Sequence, residues 1–136
     1  GHTLFACGNG GSAEMANHFV AEFLCKFEKD RRPLPAISLS SNIAVITAIA
    51  NDYSFDVVFS RQIEALGRKG DVLVIFTTSQ HPTKNHSYNL VLAEREALKK
   101  GMKVIFAPII GESTAKIQEY QLQWLHDVTR ILESRL

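Results

Sequence analysis

TLFACGNGGSAEMANHFVAEF, residues 3–23, decides the fold. It opens on a short apolar run, Thr3–Cys7, which ends in the glycine-rich turn GNGGS. Beyond the turn the apolar residues change to helical spacing, with Ala16, Phe19, Val20, Phe23 and Phe27 recurring on one face. A strand with no polar face must be covered on both sides. Strand, glycine turn and amphipathic helix in succession therefore read as the first unit of a parallel sheet layered between helices.

Outward from that unit the alternation continues. Arg31, Arg32, Pro33 and Pro35 break the helix, and Ala36–Leu39 reads as a second strand. Residues 43–50 and 55–66 read as two short helices around an Asn51-Asp52 turn, with Gly67 as a stop. Asp71–Phe76, DVLVIF, is apolar after its first residue and is the clearest strand. The segment 77–87 is polar and turn-rich. Leu90–Lys100 is helical and stops at Gly101, and Met102–Phe106 is another buried-type strand. From Ser113 to the end runs a long helix, with Ile117, Tyr120, Trp124, Val128, Ile131 and Leu132 as its expected apolar stripe. The expectation is one doubly wound α/β domain over residues 1–136, flavodoxin-like, with helices on both faces of a parallel sheet. Two places read as incomplete. The chain opens directly on a core strand, and APIIGEST after Phe106 leaves almost no room for a parallel crossover, which needs about a dozen residues. Leading helices and a segment after residue 106 are expected to be absent.

Composition narrows the function classes. The 136 residues are 46% apolar and 21% charged with a formal charge of +1, which gives no electrostatic reason for a nucleic acid or acidic membrane partner. No apolar run approaches the roughly 20 residues of a membrane span. GHTLFACGNGG does not read as a signal peptide, and Cys7 and Cys25 lack a CxxC spacing; both point to reduced thiols in a cytoplasmic protein.

Three groups of residues can carry chemistry. In the turn, Asn9, Gly10, Gly11 and Ser12 offer backbone N–H groups at a helix start to an anion, or form merely a tight turn. The pattern is neither GxGxxG nor a P-loop, so dinucleotides and nucleoside triphosphates are disfavoured. Thr77, Thr78, Ser79 and Ser87 follow the strongest strand; they are either a hydroxyl cradle for phosphate or helix caps. His18 and Glu22 stand four apart on the first helix, and Gln118 and His126 eight apart on the last. Such pairs suit a metal such as zinc, or are surface hydrogen bonds. His2, His81 and His86 carry no usable spacing.

Together the segments ACGNGGSAEMANHFVAEF, RRPLPAISL, TAIANDYSFDVVFSRQIEALGRKGDVLV and STAKIQEYQLQWLH resemble, in order and over nearly the whole chain, the phosphoheptose isomerases of the sugar isomerase (SIS) fold. The resemblance implies five parallel strands, a homotetramer and conversion of sedoheptulose 7-phosphate to a heptose 7-phosphate aldose for bacterial surface-heptose (lipopolysaccharide) synthesis. It implies Zn2+ held by His18, Glu22, Gln118 and His126. It also implies phosphate contacts from Thr77, Thr78, Ser79 and Ser87, substrate contacts from Asn9 and Ser12 on the glycine turn, and a site-lining Asp52. Moving a carbonyl between C2 and C1 through an enediol needs a base and a proton shuttle, roles that fall to Glu22 and His126.

The sequence departs from the family's pattern in several places. QHPTKNH between Ser79 and Ser87 is several residues longer than the family's compact serine-glycine-asparagine-serine turn. Lys26 stands where many relatives carry arginine, and Gln121 where a histidine is common. Two other readings share the fold: a non-enzymatic protein that binds the replication initiator, and a sugar-phosphate-sensing module. Glu22 and His126 favour the enzyme.

Overall fold

The computed structural model describes residues 1–80 and 86–136. The apolar runs form four strands, β1 (Leu4–Cys7), β2 (Ala36–Ser38), β3 (Val72–Ile75) and β4 (Lys103–Phe106). Between them lie α1 (Gly11–Leu24), α2 (Ile43–Asp52), a 3₁₀ turn at Phe55–Val57, α3 (Ser60–Leu66) and α4 (Tyr88–Lys99), and α5 (Thr114–Glu133) follows β4. All strand pairs are parallel, in the order β2-β1-β3-β4, with Leu4 opposite both Ala36 and Val72, and Val72 opposite Lys103.

The period-2 alternation of the strands sorts the core into two layers. Phe5, Cys7, Leu73 and Ile75 face one side, where Ile63 of α3 and Leu90, Ala93 and Ala97 of α4 cover them. Ala6, Val74 and Phe76 face the other, under Ala16, Phe19, Val20 and Phe23 of α1 and Leu125 of α5. Burying each such large side chain contributes about 1.5–3 kcal/mol. Helices on both faces were expected and are observed.

Among the described residues the sheet has four strands, not the five that the resemblance implied. From Phe106 the chain passes through residues 107–113 directly into α5, too short a connection for a parallel crossover. β4 is therefore an edge among the described residues, with Ile105 44% and Phe106 41% exposed.

Three element readings need correction. α2 runs through Asn51 and Asp52, which form its last turn. The expected helix over 55–66 is interrupted between Val57 and Ser60. α5 buries Ile117, Gln121, Leu125, Thr129 and Glu133, while Tyr120, Ile131 and Leu132 are exposed. Its inward face is rotated from the apolar stripe because Gln121 and Glu133 have hydrogen-bond partners elsewhere in the fold, described below.

Candidate functional site

From β1 the chain moves outward to β2 on one side, and β3 lies on the other. The turns leaving β1 and β3 therefore open at one crevice, the topological switch point. A cavity of about 220 Å³ lies there. Asn9, Gly10 and Ser12 line it from the first turn, Thr77, Thr78 and Ser79 from the end of β3, and Ser87 from the start of α4. The resemblance-derived phosphate and turn positions thus meet in one place, apart from Gly11.

Local chemistry shapes both walls. Ser40 Oγ accepts the Gly8 N–H at 3.2 Å and donates to the Gly8 carbonyl at 2.9 Å, pinning the turn. At Gly8 a Cβ would sit 2.5 Å from the Ser12 carbonyl oxygen, so this close approach admits glycine alone. The side-chain amides of Asn9 and Asn89 exchange two hydrogen bonds of 2.9 Å, joining the turn to α4. Neither Gly10, before α1, nor Ser87, before α4, makes a side-chain cap hydrogen bond. Ser87 is therefore no side-chain cap; in the first turns Ser12 and Ala13 donate their N–H groups to the Asn9 and Gly10 carbonyls, and Leu90 to the Ser87 carbonyl, each at 3.0 Å. The Thr77 hydroxyl accepts the Ser79 N–H at 3.1 Å, a local turn bond.

A second cluster lies between α1 and α5. Gln118 meets the start of α1 at Gly11 and His126 meets His18, so the two helices run side by side in the same direction. His18 Nε2 lies 2.9 Å from Glu22 Oε1 and 3.2 Å from His126 Nε2. The Phe27 ring stacks on His126 with centroids 5.1 Å apart. One ligand atom from each of His18, Glu22 and His126 falls within 4.8 Å of the others, and all three residues are half-buried. Ligands about 2.0–2.1 Å from a tetrahedral zinc lie roughly 3.3 Å from one another, so the three donors fit such an ion in type and spacing.

Gln118 stands apart from them. Eight residues of helix place it about 12 Å along α5 from His126, with its amide where a Cβ on Gly11 would fall. Asp52 is also apart. It is exposed at the end of α2, where the Asn51 side chain donates to it at 2.8 Å, and it does not line the cavity.

The cluster's frame comes from residues with no local signature. The Glu133 carboxylate accepts the N–H groups of Phe27, Glu28 and Lys29 at 2.9, 3.0 and 3.2 Å and Arg31 Nε at 2.9 Å. Burial alone would raise its pKa, but these donors together hold it below the usual carboxylate value. Arg31 also donates to the carbonyls of Glu22 and Phe23, capping the end of α1 and tying it to α5. Gln121, fully buried, donates to the Thr77 carbonyl at 2.9 Å and the Pro108 carbonyl at 3.2 Å, supporting the end of β3. Asn89, Arg31 and Glu133 were missed in the sequence. Cys7 and Cys25 are free thiols, and burial pushes the Cys7 pKa up, which makes it a core residue and not a nucleophile.

A parallel sheet layered between helices, with a hydroxyl-lined cavity at its switch point beside the starts of α1 and α4, defines an α/β domain of the doubly wound class that takes ligands at its strand ends. The family model for the SIS domain matches residues 1–106. Phosphoheptose isomerases of Shewanella sediminis and Colwellia psychrerythraea are 43% and 41% identical over 93% and 100% of this chain, which spans 71% and 76% of theirs. The structure of a phosphoheptose isomerase from Francisella tularensis matches with a TM-score of 0.89 at 33% identity, covering 98% of this chain and 77% of that one. The enzyme from Neisseria gonorrhoeae matches at 0.86 and 35%, with the same coverage. The chain belongs to the phosphoheptose isomerase family of SIS domains. Its alignment with the Colwellia relative runs over 155 positions against 136 residues here, so that relative carries additional residues inside the matched span.

Proposed function

We propose that the chain isomerises sedoheptulose 7-phosphate to D-glycero-D-manno-heptose 7-phosphate through an enediol, supplying bacterial surface-heptose synthesis. The observation that carries this reading is the convergence of His18, Glu22 and His126 in a domain that also has a hydroxyl-lined cavity at its switch point. Neither a replication-initiator-binding protein nor a sugar-phosphate sensor needs a carboxylate paired with two imidazoles.

The substrate phosphate sits among Ser12, Thr77, Thr78, Ser79 and Ser87, with Asn9 and the Gly10–Gly11 backbone bounding the turn. Binding energy gathered there orients the reacting end of the sugar. Seven residues of α1 separate Gly11 from His18, about 10 Å of rise, the scale of an extended seven-carbon chain. Glu22, its Oε1 held by His18, has its second oxygen to take the carbon-bound proton and return it to the neighbouring carbon. His126 moves the oxygen-bound proton between the two hydroxyl positions. Zinc at this cluster would polarise the carbonyl and stabilise the enediolate charge. His18, Glu22 and His126 are the donors present together, and Gln118 is the fourth ligand that the resemblance implies. Within one chain Gln118 lies apart, so His18, Glu22 and His126 are the residues that would hold the ion.

A homotetramer in the cytoplasm completes the proposal. α2 supports assembly: the sequence IAVITAIAND buries none of its residues, and Ile43, Tyr53 and Phe55 on and beside it are 71%, 64% and 52% exposed. A copy seated on α2 would also bring Asp52, at that helix's end, to a neighbour's substrate. Among the described residues no helix is long and apolar enough to cross a membrane.

Turnover of sedoheptulose 7-phosphate and metal analysis of purified protein test the reading together. About one zinc per chain is expected, with both zinc and turnover lost in His18→Ala. Equal zinc in wild type and variant would remove the metal assignment, and a folded, zinc-loaded wild type without turnover would remove the isomerase.

A further inference from the structure

The segment that departs most from the family's compact phosphate turn brings one new side chain to the site. Its last residue, His86, lines the switch-point cavity, and its Nε2 lies 2.8 Å from Ser79 Oγ. The next residue, Ser87, adopts φ 58° and ψ 31°, a left-handed conformation uncommon for a residue with a side chain. Ser87 stands immediately before α4, and His86 and Ser87 both line the cavity.

The rest of the lining is hydroxyls, glycine, one asparagine and the apolar Phe76 and Leu90. Among the described residues His86 is the only ionisable side chain in it. On the helices that contribute to the lining, the titratable residues next in sequence to it among the described residues are Glu14 in the first turn of α1 and Tyr88 and Glu94 on α4. Glu94 lines an adjoining cavity that shares Ser79 and Leu90 with this one. A phosphate dianion held by hydroxyls and N–H groups alone has no counter-charge. An imidazole within reach of the Ser79 hydroxyl can supply one, because histidine is the side chain whose charge changes around neutral pH.

We propose that His86 is a phosphate ligand of this site and the group that sets its charge. As an imidazolium it donates to a phosphate oxygen beside the Ser79 hydroxyl; as a neutral imidazole it holds that hydroxyl and contributes no charge. This rests on reading the cavity as the phosphate subsite. It follows that this chain binds the dianion more tightly as the pH falls through the imidazole range. The affinity change is about fivefold, because His86 is exposed and its charge is partly screened by solvent.

The test is titration of the full chain with inorganic sulfate, which stays dianionic from about pH 5.5 to 8 and so isolates protein charge. Wild type, His86→Asn and Ser79→Ala are compared, with thermal melts to confirm folding. The wild type is expected to bind sulfate about fivefold more tightly at the acid end. His86→Asn is expected to lose that slope and bind like wild type at the alkaline end. Ser79→Ala is expected to bind more weakly throughout while keeping the slope. With the sugar phosphate, His86→Asn is expected to raise KM more at the acid end than at the alkaline end. If His86→Asn kept wild-type affinity and slope while Ser79→Ala weakened binding, the cavity would stand as the phosphate subsite and His86 would be only a loop contact. If all three bound sulfate alike, the subsite reading would fail and the His86 proposal with it.

Discussion

Gly8→Ala tests the site's geometry more sharply than loss of any one hydroxyl. The added Cβ would lie 2.5 Å from the Ser12 carbonyl oxygen, 2.6 Å from its carbonyl carbon and 2.8 Å from its Cβ. Ser12 is in the first turn of α1, so its carbonyl cannot swing aside without unwinding the helix start, and Ser40 holds Gly8 from the other side. Overpacking against a fixed backbone costs about 1–3 kcal/mol. For a domain of this length each kcal/mol is worth roughly 3–4 °C, so Tm should fall by about 3–12 °C. The displaced turn carries Asn9, Gly10 and Ser12, so KM for the sugar phosphate should rise as well. Gly11→Ala is the control, because its Cβ meets only the movable amide end of Gln118. A helical Gly→Ala change there is expected to leave Tm unchanged or raise it slightly. Differential scanning fluorimetry and steady-state kinetics on both variants decide the matter. A Gly8→Ala protein with wild-type Tm and KM would refute the close-approach argument.

Other perturbations follow from the packing. Phe19 is 1% exposed and meets Phe23 and Phe76 edge-on at 5.0 and 5.8 Å, so Phe19→Ala should cost about 3–5 kcal/mol in a denaturant melt. A loss below about 1 kcal/mol would mean that the aromatic cluster is not a packed core. The Glu133 pKa is lowered in the folded state, so its stabilisation is present above the unfolded carboxylate value, about 4.3, and is lost as pH falls through the lower folded value. Glu133→Gln should therefore melt earlier than wild type at neutral pH, with the difference shrinking on acidification; a pH-independent difference would show that charge is not what the cradle holds.

The strands were legible because each is a nearly unbroken apolar run, and the glycine turn announced where the ligand end lies. His18 and Glu22 were legible as an i, i+4 pair. That His126 joins them required knowing that α1 and α5 run side by side, which helical spacing within α5 cannot reveal. The inward face of α5 was misjudged for a related reason. Gln121 and Glu133 are polar in any one-dimensional pattern, yet their partners lie at Thr77 and Pro108 and at Phe27–Arg31, as much as 106 residues away. The Glu133 carboxylate and the Gln121 amide nitrogen are hydrogen-bonded, while Gln121 Oε1 has no partner among the described residues, and periodicity ranks residues by hydrophobicity alone. The Asn9–Asn89 amide pair spans 80 residues and was invisible for the same reason. The short connection after Phe106 was noticed as anomalous; its consequence, a fourth strand left as an edge, took the topology to establish.

In the proposed reaction Glu22 moves the carbon-bound proton. Glu22→Gln keeps the size of the side chain and removes the base, which typically costs at least about 10²-fold in rate. Loss of activity alone would be ambiguous, because Glu22 is also a candidate ligand. The direct measurement is deuterium incorporation from D2O at the sugar's first two carbons, catalysed by folded Glu22→Gln protein whose zinc content matches wild type. Incorporation should be lost in this variant while zinc and Tm are retained. Incorporation at the wild-type rate would contradict that role, leaving Glu22 a ligand only and the base to be sought first at His126.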